Sequence, residues 1–332
     1  MIIESNQPIL NSLKLRSIAK ESVVISNIDD LYEIYNYIQE NNLRYLVLGE
    51  GTNIVPPEFF DGIIIKSNFN SISFKSSKII NVGSAVNWDD LVQFTLQNNI
   101  KGFENLSLIP GSVGASPIQN IGAYGVEVSS LIDSVDCFDP QTNELINLTN
   151  TECNFGYRSS ALKNSSLFIQ SINFKVDESR ILNSEYKSIK AYMSSNEIDV
   201  NQLTSKSLSK IVTDIRKSVL PNHNEIFNAG SFFKNPVINK DLISFDVHKE
   251  SELVIWDIGN DLVKVGAARL IELIKDQILV SNNVSLYHKH SLVLVTNGKA
   301  NQSEVLLYAK SIQDKVLTTF NIKLDIEPNI IY

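Results

Sequence analysis

The chain has 332 residues, 43% of them hydrophobic and 20% charged, which is the composition of an ordinary globular protein long enough for two or three domains. A formal net charge of −8, with no basic patch interleaved with aromatics, argues against nucleic acid or an anionic membrane as the main partner, but leaves room for a small anion held by a few arginines. Residues 1–7 lack the basic and apolar parts of a secretion signal and no apolar run approaches a membrane span, so a cytoplasmic location is expected.

Across residues 29–42, Leu31, Ile34 and Ile38 share one helical face, with Asp29 and Asp30 near the start. Arg44–Leu48 then reads as a short buried strand that runs into Gly49-Glu50-Gly51-Thr52-Asn53. A glycine turn after a strand can present backbone N–H groups to phosphate oxygens. Residues 62–66 and 78–82 are further expected strands, and Trp88, Leu91, Val92 and Leu96 mark a second helix. Ile109 to Gly125 follows, with four glycines and two prolines in 17 positions, among apolar and amide residues. So little side-chain bulk lets the backbone approach a diphosphate or a polar ring edge closely.

Further on, Phe168, Ile172, Phe174 and Val176 alternate as on a half-buried strand. Residues 178–207 are polar with little pattern and are expected to connect two domains. Leu208, Ile211, Val212 and Ile215 give a helix ending near Arg216. Residues 264–275 and 302–317 are expected helices, and Ile322–Ile326 a last strand. Strands and helices mixed without βαβ alternation predict an α+β fold. Gly49-Glu50-Gly51 lacks the third glycine of a dinucleotide fingerprint and no helical pattern follows it, which disfavours a Rossmann domain. Cys137 and Cys153 form neither a disulfide framework nor a metal motif. His288 and His290 alternate as if on one strand face but have no third ligand in view, so no metal is expected.

Three other clusters stand out: Cys153–Ser160 around Arg158, Asn228–Pro236 around Ser231, and Phe320–Glu327. Together with the two glycine loops, in order from about residue 11 to residue 327, they resemble the UDP-N-acetylenolpyruvoylglucosamine reductase family, in the type with a Tyr-containing substrate insertion. These flavoenzymes complete UDP-N-acetylmuramate for bacterial cell walls. Asn11-Ser12-Leu13 looks like the family's first motif, with Ser where Thr is more common.

The resemblance implies an FAD-binding domain of the vanillyl-alcohol-oxidase (PCMH) type and a smaller α+β substrate domain. Residues 1–205, completed by about 320–332, would be the FAD-binding region, and 206–319 the substrate-binding domain. Gly49, Glu50, Gly51, Thr52 and Asn53 would hold the flavin, together with Ile109, Pro110, Gly111, Ser112, Ala115, Ser116, Gln119, Gly122 and Gly230. The reaction implied is NADPH-driven reduction of the enolpyruvyl ether of a UDP-sugar. Arg158 would bind its carboxylate with a planar fork, Glu327 would polarise that carboxylate, and Ser231 would deliver the final proton. Tyr124, Tyr186, Arg216, Asn235 and His290 would contact substrate. A monomer is expected.

Two departures from the family pattern keep alternatives open. Val219 stands where the family usually has a lysine, and Pro328-Asn329 follows Glu327. Anchoring on Glu327-Pro328 instead would move the catalytic position to Asn329; the gap-free count from Phe320 selects Glu327. The alternatives are a flavin-binding homologue with a different enolpyruvyl-type substrate, or a catalytically weak nucleotide-binding homologue.

Overall fold

The computed structural model describes residues 1–332. Its α-helices are α1 (Ile28–Glu40), α2 (Trp88–Gln97), α3 (Lys187–Ser195), α4 (Ser205–Val219), α5 (Ala267–Ile274) and α6 (Gln302–Phe320). Local chemistry sets several of their ends. Asn27 accepts from the Asp30 N–H at 2.9 Å while the Asp30 carboxylate accepts from Asn27, and Asn301 and Glu304 repeat this capping box on α6. Asn87 caps α2, and Asn321 ends α6 in the left-handed conformation at φ 57°.

The chain divides into two compact units. The first comprises residues 1–7, 19–50 and 61–218; the second comprises 8–18, 51–60 and 219–332. In the first unit, one sheet has the order Ile3–Pro8, Ile18–Ile25, Phe59–Ser67, Tyr45–Val47, with the last pair parallel. Leu31, Ile34 and Ile38 of α1 pack with Val23, Ile25, Ile63 and Ile65. The other sheet is antiparallel, in the order Glu144–Thr149, Ile132–Asp139, Phe168–Lys175, Ile79–Gly83, Ile72–Ser76. Its core joins Trp88, Leu91 and Val92 of α2 to Phe103, Ile172 and Phe174.

The second unit has two three-stranded sheets. One is Phe227–Ser231, His290–Thr296, Val284–Tyr287; the other is Val237–Asn239, Leu262–Val265, Ile255–Gly259. Helices α5 and α6 share a core with Phe232 and Phe233. A parallel pair of Ile54–Val55 with Asn329–Ile330 ties the C-terminal segment to residues 51–60. No helix is long and apolar enough to cross a membrane.

The α+β expectation agrees with these mixed sheets, but several local expectations need correction. Residues 178–207 contain α3, whose buried stripe is only Ile189 and Met193, too short to register in a polar sequence. Helix α5 starts at Ala267, because Lys264 and Val265 are paired in the preceding strand. Ile322 and Leu324 are buried in alternation, but no ladder forms: the Leu324 carbonyl accepts from Gln313 Nε2 at 2.7 Å, and only Ile326 bridges to Phe233. His288 lies in the turn between two strands, so it does not share a strand face with His290. The compact units part at 218/219, and residues 320–332 lie in the second unit. Buried Leu208, Ile211 and Val212 pack with Ile189 and Met193, which keeps α4 in the first unit.

Trp88 bears on the site because it is fully buried at the base of the glycine-rich segment and its Nε1 donates to the Leu106 carbonyl at 2.9 Å. Replacing it by Ala removes a large core side chain and leaves that carbonyl unpaired. Trp88→Ala should lose about 3–5 kcal/mol in urea unfolding with an unchanged m-value.

Candidate active site

The segment 109–125 is pinned from the side. The Gly111 carbonyl accepts from Trp88 N at 2.9 Å, and Val113 N and Gly114 N donate to Val86 and Ser84. Ser116 Oγ donates to the Val113 carbonyl at 2.7 Å. Space is tight: a Cβ on Gly114 would stand 2.5 Å from Ser84 Cβ, and one on Gly49 the same distance from Ser112 Oγ. The segment ends in a hairpin, Gly122–Ala123 against Val126–Glu127. Its two turn residues, Tyr124 and Gly125, both have positive φ (48° and 82°), the geometry of a tight two-residue hairpin turn.

In the other glycine loop, the backbone N–H groups of Gly49, Glu50, Gly51 and Thr52 donate to no protein acceptor. Gly51 has φ 69°, and a Cβ there would collide with the Leu10 carbonyl. Ser12 secures this stretch through its N–H to the Gly51 carbonyl at 3.1 Å and its Oγ to the Thr52 carbonyl at 3.2 Å.

Arg158 sits in the tight turn closed by Gly156 and Ser159, with φ 52°. Its Nη2 donates to the Gly122 carbonyl at 3.3 Å, so this arginine meets the glycine-rich segment directly. Tyr124 and Tyr186 pack edge to face with ring centroids 5.4 Å apart. Arg216 Nη2 donates to the Leu108 carbonyl at 3.3 Å, while its Nε is sealed from solvent without an acceptor. Burial pushes the Arg216 pKa down, and Tyr124 and Asp89 oppose that shift.

In the second unit, Ser231 ends the strand Phe227–Ser231, opposite Val293. Gly230 before it has φ 71° and open space where a Cβ would lie. Glu327 N donates to the Phe232 carbonyl at 2.9 Å, and Lys234 N to the Asp325 carbonyl at the same distance. This pairing brings Glu327 to within one residue of Ser231 in register. Asn329 N donates instead to the Asn53 carbonyl at 3.0 Å.

Two protein families match successive parts of the chain. Residues 20–148 match the FAD binding domain family, and residues 221–331 match the UDP-N-acetylenolpyruvoylglucosamine reductase C-terminal domain. A UDP-N-acetylenolpyruvoylglucosamine reductase of Flavobacterium johnsoniae is 34% identical over 348 residues and covers 100% of both chains. The reductase of Buchnera aphidicola subsp. Baizongia pistaciae is 31% identical, covering 97% of this chain and 96% of its own. The chain belongs to the UDP-N-acetylenolpyruvoylglucosamine reductase family. The crystal structure of the Thermus caldophilus reductase has the same fold, with a TM-score of 0.70 at 20% identity over 100% of both chains.

Within this family frame, the remaining expected substrate residues have their own local roles. Asn235 Oδ1 accepts from Ala267 N at 2.9 Å and so caps α5. His290 is half-buried, and burial lowers its pKa. Both cysteines are buried, with thiols pushed up to about 12 for Cys137 and about 11 for Cys153, which suits inert core positions. A recess of about 690 Å³ beside Leu96, Lys101, Arg180 and Lys206 touches none of the expected site residues.

Sequence reading did not single out Asn105 or Asp89. Asn105 is buried and its Nδ2 donates to the carbonyls of Tyr124 (3.0 Å) and Asn183 (2.8 Å), which ties the hairpin to the segment carrying Tyr186. Asp89 accepts from Leu108 N at 2.7 Å. For Asn105 the only available signal was its place just before the glycine-rich motif; Asp89 carried none.

Gly49→Ala should lower the melting temperature by the equivalent of about 1–3 kcal/mol through its clash with Ser112 Oγ. Adding Ser112→Ala removes that oxygen and should recover much of the loss. His290 should titrate below the ordinary histidine value in NMR. The unfolded state then binds the proton more readily, so stability falls as pH drops through about 6.5 and levels off below the folded pKa. His290→Gln should remove this component.

Proposed function

We propose that the protein is an FAD-dependent, NADPH-using reductase that converts UDP-N-acetylglucosamine enolpyruvate to UDP-N-acetylmuramate in peptidoglycan synthesis, acting as a cytoplasmic monomer. The observation that carries this reading is similarity along the whole chain to reductases of that name, 34% identical over 348 residues in one case. The residues present suit FAD: a run of undirected N–H groups from Gly49 to Thr52 fits a diphosphate, and the packed, small-residue segment 109–125 lets a flat ring come close to backbone. Gly49–Asn53, Ile109–Gly122 and Gly230 would hold it. When bound, FAD supplies hydride transfer from NADPH to the methylene carbon of the enolpyruvyl ether.

The chain's own residues supply recognition, charge stabilisation and a proton. Arg158 pairs with the substrate carboxylate, into which negative charge spreads as the methylene becomes a methyl group. Glu327 polarises the same carboxylate. Ser231 gives its hydroxyl proton to the neighbouring carbon, which completes the addition of hydride and proton across the double bond. Support for pairing Ser231 with Glu327, rather than with Asn329, comes from the Glu327–Phe232 backbone hydrogen bond. Tyr124, Tyr186 and Arg216, with Asn235 and His290, bind the sugar nucleotide. The unsatisfied Arg216 Nε–H supports an oxyanion partner there.

The test is steady-state reduction of the enolpyruvyl sugar nucleotide by NADPH. Ser231→Ala should lower kcat by about 10²–10⁴-fold, and Arg158→Ala should lower kcat/KM by at least about 10²-fold, with the flavin spectrum retained in both. Full activity in either variant would contradict the assigned role.

A further inference from the structure

The turn Glu104–Leu108 is buried except for Leu108, which is half-buried and left-handed at φ 57°. A leucine does not hold that conformation without external support. Here both sides of its peptide frame are engaged. Asp89 Oδ1 accepts from Leu108 N at 2.7 Å, and Arg216 Nη2 donates to the Leu108 carbonyl at 3.3 Å. Ser107 Oγ and Ser209 Oγ, 2.7 Å apart, join the same turn to α4, which carries Arg216.

Asp89 is not needed to cap α2. Asn87 already accepts from Asp89 N at 2.9 Å and from Asp90 N at 3.3 Å, and Asp90 supplies a second acid in the first turn. Its carboxylate reaches instead to Leu108, 19 residues further along the chain.

Resting on the reading of Arg216 as a diphosphate contact, we infer that Asp89 is a positioning residue for substrate. It holds the Leu108 peptide in its left-handed turn, so that the carbonyl faces Arg216 and fixes the guanidinium that reads the sugar nucleotide. Asp89 therefore acts through Arg216 and touches neither substrate nor flavin. Its charge adds to the fixed geometry by favouring the protonated guanidinium on the other side of Leu108.

The test is a double-mutant cycle on the FAD-loaded full chain, with the enolpyruvyl sugar nucleotide as varied substrate. Asp89→Ala should raise KM about tenfold with kcat within about threefold, the pattern of lost binding rather than lost chemistry. Asp89→Asn keeps an acceptor for Leu108 N and should stay within about threefold of the parent KM. In an Arg216→Ala background, Asp89→Ala should add less than about twofold, because the group it positions is gone. Asp89→Ser, which cannot span to Leu108, replaces the alanine variant if that one does not retain FAD. Independent multiplication of the two effects, or an unchanged KM in Asp89→Ala, would overturn the inference while leaving Arg216 as a substrate contact. An unchanged KM in Arg216→Ala would remove the underlying reading instead.

Discussion

The site depends on a backbone that is held away from its relaxed conformations. Leu108, Asn120, Tyr124 and Arg158 are not glycines, yet their φ values are 57°, 44°, 48° and 52°. Each such residue costs about 1–2 kcal/mol and persists only where its surroundings over-determine it. Those surroundings are visible for all four. Asp89 and Arg216 grip Leu108. The Asn120 side chain donates to Glu127 and the Gly156 carbonyl and accepts from Ser129 N. Asn105 holds the Tyr124 carbonyl, and the Gly156–Ser159 bridge closes the turn that carries Arg158. A backbone fixed in this way holds the Gly122 carbonyl and the Arg158 guanidinium in one arrangement before any ligand arrives. That preorganisation is the form in which a protein stabilises charge developing in a transition state.

Much of this was legible in the sequence because backbone demands leave a compositional trace. Close approach at Gly49 and Gly114 permits no Cβ, and the run Ile109–Gly125 states that requirement in residue types. The amphipathic stripes of α1, α2, α4 and α6 were equally readable, since a buried face repeats at helical spacing. What local pattern could not carry was long-range pairing. Residues 8–18 and 51–60 join the second unit through bonds such as Thr296 Oγ1 to the Leu13 carbonyl at 2.6 Å and Gln302 Nε2 to the Val55 carbonyl at 2.9 Å. Nothing near Leu13 or Val55 in sequence announces a partner more than 200 positions away. Asn105 was missed for a related reason. A buried asparagine bridging two carbonyls has the same local signature as a surface one.

The departures from the family pattern read differently with the structure in hand. In the C-terminal motif, Glu327 runs beside Phe232, whereas Asn329 pairs with the Gly51–Asn53 loop through Asn53 and with Ile54. Val219 removes a cation. Arg216, one turn earlier on α4, is half-buried with its Nη2 at the Leu108 carbonyl, while Lys217 is exposed on the same helix. On the proposed reading, anion recognition in this region would rest on Arg216 alone, with its guanidinium held at the Leu108 carbonyl, instead of on an arginine and a lysine.

The most direct test of the central claim is a single turnover without oxygen. The FAD-loaded protein is bleached with one equivalent of NADPH and mixed with the enolpyruvyl sugar nucleotide. The account predicts that the yellow flavin absorbance returns on mixing, with UDP-N-acetylmuramate formed in equal amount. A protein that takes up no FAD, or a flavin that stays bleached in the presence of substrate, would contradict it.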